Sequence, residues 1–288
     1  MTTPEPAQAM ERQKEEIRQQ WAGRASSFGA IAGRQPMTLQ AATDVVLATL
    51  RRYPDMRTLD VASGPGEPAI SIAATIAPDG GHVTATDLVP EMLATAEQNA
   101  RARGVANITF QHADAEALPF ADGSFDAVTC RFGVMLFPNT RQALHEIRRV
   151  LKRGGQFVAM VWGPREQDAM SNALTVVRRY VDLPAPPPPD SPHRFRFSEP
   201  GALAAQLRAA GFRQVEDELR TIPMPWEGTA EEWWEAMQKM NGAMREAVEA
   251  LDADRRAALV QEVLDAKRAA AQRAGGETSA VIIASAVR

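Results

Sequence analysis

Residues 57–87, RTLDVASGPGEPAISIAATIAPDGGHVTATD, limit what this chain can fold into more than any other stretch. Arg57–Ala62 reads as a short buried strand, with Leu59, Val61 and Ala62 around one acid, Asp60. Ser63-Gly64-Pro65-Gly66 is a tight turn of small residues. Glu67–Ile76 has helical spacing, and Pro68 falls in its first turn, where a missing N–H costs little. Asp79-Gly80-Gly81 stops the helix, His82–Thr86 is a second strand, and Asp87 stands at its carboxyl end. Glycines let backbone approach a ligand closely, and the helix N-terminus behind them offers unpaired N–H groups and a partial positive charge. Asp87 follows Gly66 by 21 residues, a fitting distance for an acid that accepts from ribose hydroxyls. The stretch predicts a nucleoside-containing cofactor in the crevice of an open parallel sheet.

Which nucleoside is less constrained. Gly64–Ala69 also satisfies G-x-G-x-x-G/A, so an NAD(P)-dependent oxidoreductase is one reading. Asp60 leans the other way. It lies four residues before Gly64, where a diphosphate gains nothing from another negative charge and a cationic ligand does. A third acid, Asp114, follows an expected strand over Val105–Gln111. Acids at three successive strand ends suit a zwitterionic, sulfonium-bearing nucleoside better than a diphosphate.

On these residues, about 55–162 resemble a class I S-adenosylmethionine-dependent methyltransferase. The resemblance is to the branch of quinone C-methyltransferases and many small-molecule methyltransferases. LDVASGPGEPA resembles that family's first motif, TATDLVPEML its second block, ADAEALPFADGSFDAVTC its third and fourth, and EIRRVLKRGGQFVAMVW its fifth. Two positions depart from the pattern: Ala62 stands where the first of three glycines is usual, and Pro68 lies just inside the helix. The resemblance implies a seven-stranded sheet whose last strand runs antiparallel between the fifth and sixth. It also implies S-adenosyl-L-methionine as cofactor, with S-adenosyl-L-homocysteine as product.

The rest of the chain fits an α/β, doubly wound, mostly parallel sheet with a helical cap insertion. At 45% apolar and 24% charged residues it has an ordinary globular composition. A net charge of −4 without a Lys/Arg block argues against clamping nucleic acid. The single Cys130 excludes an internal disulfide and a multi-cysteine zinc site, and no metal is expected. With no long apolar run, a membrane span is not expected and the default location is cytoplasmic. The oligomeric state is open, a homodimer included.

The expected organisation runs as follows. Residues 1–52 form N-terminal helices or a lid, with Trp21–Arg34 either a mobile cover or an ordered connector. Residues 53–163 form the cofactor-binding core. Residues 164–198 form an insertion with the proline-rich spacer LPAPPPPDSP, and 199–227 continue the core. Residues 228–275 form the cap and 276–288 the last strand. Gly154-Gly155 should end the helix begun at Asn139, and Ser198 should cap a helix ending at Gly211.

The candidate site residues follow. Gly64 and Gly66 should approach the aminoacyl and ribose part, Asp60 the ammonium, and Asp87 the ribose hydroxyls. By resemblance, Asp114 should meet the adenine amine, with Ala115 supplying a backbone N–H. Ala62, Leu88, Arg131 and Phe132 complete the cofactor set. Trp21, Phe28, Met135, Trp233 and Met237 are pocket candidates for a small, mostly apolar acceptor. A stripe of Trp and Met is equally what a cap core looks like. His193 is the one histidine placed to swing toward an acceptor as a base. A methyltransferase-like module that binds without catalysing is the third reading.

Overall fold

Seven strands pair into one sheet in the order β3-β2-β1-β4-β5-β7-β6. They are β1 (Arg57–Val61), β2 (His82–Asp87), β3 (Ile108–His112), β4 (Phe125–Arg131), β5 (Leu151–Trp162), β6 (Arg213–Pro223) and β7 (Thr278–Val287). β1 to β5 are parallel, and β7 runs antiparallel between β5 and β6. The computed structural model describes residues 6–31, 39–169, 171–183, 185, 187–273 and 275–288. Thr58–Val61, Val83–Asp87 and Ala127–Cys130 are buried throughout, as central parallel strands covered on both faces require. The strand order reverses between β1 and β4, so a crevice opens at their carboxyl ends.

Ten helices accompany the sheet among the described residues. Those around it are α1 (Pro6–Ile31), α2 (Gln40–Thr49), α3 (Ala69–Ile76), α4 (Pro90–Ala102) and α5 (Thr140–Val150). Next come α6 (Ser171–Tyr180) and α7 (Ala202–Ala209), then α8 (Ala230–Met240), α9 (Gly242–Glu249) and α10 (Ala253–Ala271). The main core joins Leu59, Ile72, Leu144, Ile147, Phe157 and Leu207 across the sheet. A second core lies among α6, α8, α9 and α10, where Val177, Trp233, Trp234, Met237, Leu259 and Val263 meet. Its Lys267 forms a buried ion pair with Glu277 and sits 4.9 Å from the Trp233 ring centroid. No helix among the described residues is long and apolar enough to cross a membrane.

Four local expectations change. Residues 6–31 are one continuous helix rather than a tail, a helix and a lid segment; residues 32–34 of the expected lid lie outside the described part. α5 ends at Val150, not at the glycines, and β5 begins immediately. Gly154 and Gly155 instead accommodate an irregularity where β5 joins β4; a Cβ on Gly155 would stand 2.9 Å from the Asp126 and Lys152 carbonyl oxygens. Ser198 caps nothing: the helix starts later, behind Gly201, whose N–H donates to Asp217 on β6 at 2.8 Å. The third strand begins at Ile108, because the turn after α4 runs through Gly104 and Val105 back onto Arg101 and Ala100.

Candidate cofactor and acceptor site

Two glycines of the turn do different work. Gly64 has φ +53°, and a Cβ there would meet nothing within 4 Å, so this face is open. Gly66 has φ +109°, and a Cβ would strike Ile70 Cδ1 at 2.5 Å and Ala96 Cβ at 3.1 Å. Gly66 therefore lets α3 and α4 pack closely, rather than lining the open face. Asp87 fixes the turn from β2: one carboxylate oxygen accepts from Gly64 N at 2.8 Å and the other from Val89 N at 2.9 Å. Burial raises its pKa, while the backbone N–H groups of Gly64, Val89 and Leu88 pull the other way. Each oxygen keeps a second lone pair for a further donor.

Asp60 is the electrostatic anomaly. The β1–β4 register sets it opposite Thr129, whose hydroxyl donates to Asp60 Oδ1 at 2.5 Å. Its Oδ2 is buried with no partner among the described residues. Burial raises its pKa to about 7, and the Thr129 bond and the Arg131 charge only partly oppose this. An unpaired buried acid is costly, and a protonated amine at Oδ2 would satisfy it. This orphan oxygen, beside an open glycine face and a ribose-type acid, fits the aminoacyl end of S-adenosylmethionine.

Beyond the end of β3, α1 is tied to the sheet edge through Lys14. Lys14 pairs with Asp114 at 2.7 Å and with Glu116 at 3.0 Å. Burial opposes the ammonium, but these two acids outweigh it and raise the Lys14 pKa. The other Asp114 oxygen accepts from Glu116 N at 2.9 Å, so its carboxylate holds a turn and a helix together. Ala115 is buried beside it, and Leu88 is half-buried with its carbonyl 3.1 Å from His112 Nε2. Trp21 packs with Ala25 against Val89 and Met92 of α4 and its approach, an ordered contact. Phe28 lies in α1, and its side chain is outside the described part.

Just past the ends of β1 and β4 the backbone is strained. Ala62 and Phe132 have φ +57° and +62°, a region that β-carbons disfavour. Gly133 is packed between Ala62 and Cys130: a Cβ would stand 2.6 Å from Cys130 Sγ and 2.7 Å from Ala62 Cβ. Gly133→Ala should therefore cost about 1–3 kcal/mol in urea denaturation, and adding Ala62→Gly should recover part of it. Two independent, additive effects would show that positions 62 and 133 do not touch. Arg131, expected at the cofactor, is spent on the scaffold, donating to Leu39 O, Thr43 Oγ1 and Glu67 O. Met135 is buried in the main core behind the loop.

Beyond Phe132 lies a stack that the sequence did not announce. Phe132 lies parallel to Trp162 at the end of β5, with centroids 4.1 Å apart. The Arg194 guanidinium sits 4.1 Å from the Trp162 ring and pairs with Asp168 at 2.5 Å. Arg165 lies 4.4 Å over Phe195, and Arg196 donates to the Phe137 carbonyl at 2.8 Å. His193 is also here, but not as a base. Its Nδ1 accepts from Phe195 N at 3.1 Å, which places the proton of the neutral ring on Nε2. Burial, and then Arg165, lower its pKa, against the Pro189 backbone, which raises it. It offers a donor, not a lone pair. Trp233 and Met237 are not pocket residues in this structure: both are buried in the separate core of α6, α8 and α10.

Of the expected residues, the fold brings Asp60, Ala62, Gly64, Asp87 and Phe132 to one crevice. Sequence reasoning missed Thr129, Trp162, Lys14 and the arginines at 165, 194 and 196. Trp162 carried one signal, its place at the carboxyl end of a strand.

Residues 59–159 match the family model described as a methyltransferase domain. The demethylmenaquinone methyltransferase of Thermus thermophilus is 38% identical over 184 residues, spanning 58% of this chain and 78% of that protein. The chain belongs to the class I S-adenosylmethionine-dependent methyltransferases and is similar to their quinone C-methyltransferases. That membership displaces the oxidoreductase reading. An uncharacterized protein of Mycobacterium tuberculosis is 42% identical over 133 residues. That match spans 46% of each chain, so this chain covers about half the length of that relative. The crystal structure of the cyclase SpnF superposes with a TM-score of 0.57 at 21% identity, over 94% of each chain, a likeness of fold alone.

Proposed function

We propose that the protein transfers a methyl group from S-adenosylmethionine to a small, planar molecule held beside Phe132. The observation that supports this most is the unpartnered Oδ2 of Asp60, buried at the base of an open glycine turn with Asp87 alongside. S-adenosylmethionine supplies a methyl group already bonded to a good leaving group, a positively charged sulfur. The chain's task is then alignment and exclusion of water. Asp60 would bind the ammonium, Gly64 would leave room for the chain of the amino acid, and Asp87 would take the ribose hydroxyls. Phe132, backed by the parallel ring of the buried Trp162, would present a flat apolar surface at the carboxyl edge of β4 and β5. With His193 a donor, none of its ring lone pairs takes a proton, which favours acceptors that are nucleophilic on their own.

A second reading is a module that holds the cofactor without methylating. It draws on SpnF, which has this fold and is described as a cyclase. Two measurements divide the readings. Calorimetry should show S-adenosylhomocysteine binding and no binding of NADH. Label from the S-methyl group should then appear on one or more acceptors in a screen of phenols, quinols and aromatic acids. Tight cofactor binding with no label transferred across that screen favours the second reading, and NADH binding alone removes both.

A further inference from the structure

β4 is a central parallel strand whose residues 127–130 are all buried, a place where apolar side chains are the rule. Thr129 breaks that rule. Valine would fill nearly the same space there without a hydroxyl to satisfy. Among the described residues, that hydroxyl makes one hydrogen bond, to Asp60 Oδ1 at 2.5 Å, and the Asp60 side chain makes no other. The β1–β4 register sets the two residues side by side, with Leu59 beside Val128 just before them. Both are fully buried, so neither water nor a mobile side chain substitutes for this contact.

We propose that Thr129 is a positioning residue of the cofactor site: its hydroxyl engages Oδ1 of Asp60 and so reserves Oδ2 for the ligand's ammonium. The proposal rests on the methyltransferase reading, since it concerns the cofactor of that same site. A hydroxyl suits the task because it is neutral. It fixes one oxygen and favours the carboxylate form, yet leaves the negative charge uncancelled for the ligand. The charged and titratable groups around Asp60 are Arg131 and Cys130 of β4, Glu67 at the entry to α3 and Asp87 at the end of β2. Burial keeps the Cys130 thiol protonated. Arg131 assists the ionised form, Glu67 and Asp87 oppose it, and Thr129 supplies the one direct bond that favours it. Without that bond Asp60 should hold its proton to higher pH, and an incoming ammonium should have to expel it.

The test is calorimetry between pH 6 and 8.5 with two ligands, S-adenosylhomocysteine and 5′-methylthioadenosine, which lacks the amino-acid end. Thr129→Val should move the midpoint of the S-adenosylhomocysteine pH profile up by about one unit. Its affinity should then be about tenfold weaker than that of the unsubstituted protein at pH 6, with the deficit narrowing to about twofold or less at pH 8.5. Thr129→Ser keeps the hydroxyl and should restore the midpoint. Affinity for 5′-methylthioadenosine should be the same in all three proteins, which a merely structural role for Thr129 does not predict. Thr129→Ala carries the same comparison if the valine variant does not fold. A narrowing deficit, confined to the ligand with an ammonium and repaired by serine, supports the assignment. An unmoved midpoint, a deficit equal at every pH, or an equal loss for 5′-methylthioadenosine overturns it. Failure of both ligands to bind the unsubstituted protein would instead overturn the methyltransferase reading beneath it.

Discussion

Asp87→Ala should weaken S-adenosylhomocysteine binding about 10–100-fold and also destabilise the fold. The binding loss is that of a charge-assisted hydrogen bond to a ligand hydroxyl, about 1–3 kcal/mol. The stability loss has a separate origin. The Asp87 carboxylate accepts from Gly64 N and Val89 N, and without it two backbone donors at the turn lose their acceptor. Each unsatisfied buried donor costs about 1–3 kcal/mol, so urea denaturation should show a loss of about 2–6 kcal/mol. Asp87→Asn separates the two effects. Its amide oxygen can keep one backbone bond, so it should recover part of the stability, while the charge that favours ribose hydroxyls stays absent. An unchanged dissociation constant in Asp87→Ala would remove this residue from the site.

The second large effect is a pH dependence carried by Asp60. Burial raises its pKa from the ordinary 3.8 to about 7, with Glu67 and Asp87 adding to the rise and Thr129 and Arg131 opposing it. A ligand ammonium favours the ionised acid. Below pH about 7 binding must therefore expel a proton, and affinity for S-adenosylhomocysteine should climb as pH rises from 5 to 7, by up to about tenfold per unit. Above that it should level off. Asp60→Asn should bind more weakly at pH 8 and lose the climb.

Stability of the unliganded protein should move in the opposite sense. The folded state holds this proton up to pH about 7, whereas the unfolded chain releases it near 3.8. The folded state thus binds more protons in that window. The Asp60 contribution is present below the window and is lost as pH rises through it. The melting temperature of Asp60→Asn should accordingly fall less between pH 5 and 8 than that of the unsubstituted protein. Parallel pH profiles for the two proteins would show that Asp60 is not the group responsible.

Much of the cofactor half was readable from sequence because its residues are close along the chain. Asp60, Gly64 and Asp87 lie within one strand–turn–helix–strand unit, whose geometry short-range rules determine. Asp114 shows where such rules mislead. Its spacing suits an adenine contact, yet its carboxylate is shared between a turn and Lys14, a hundred positions earlier in sequence. The acceptor half is built from residues that meet only after the sheet has formed. Phe132 and Trp162 become neighbours through the β4–β5 register, and Arg165, Arg194 and Phe195 through the path of the chain beyond β5. Trp233 and Met237 illustrate the reverse error, since a stripe that lines a pocket and one that fills a core have the same spacing. His193 was a candidate base on sequence position; only the Phe195 N–H on its Nδ1 reveals it as a donor.

The most direct measurement is a crystal structure of the protein with S-adenosylhomocysteine. The amino group should lie about 3 Å from Asp60 Oδ2, with the ribose hydroxyls at Asp87 and the sulfur facing Phe132. Adenosine bound elsewhere, or an Asp60 Oδ2 still without a partner in the complex, would contradict the assignment.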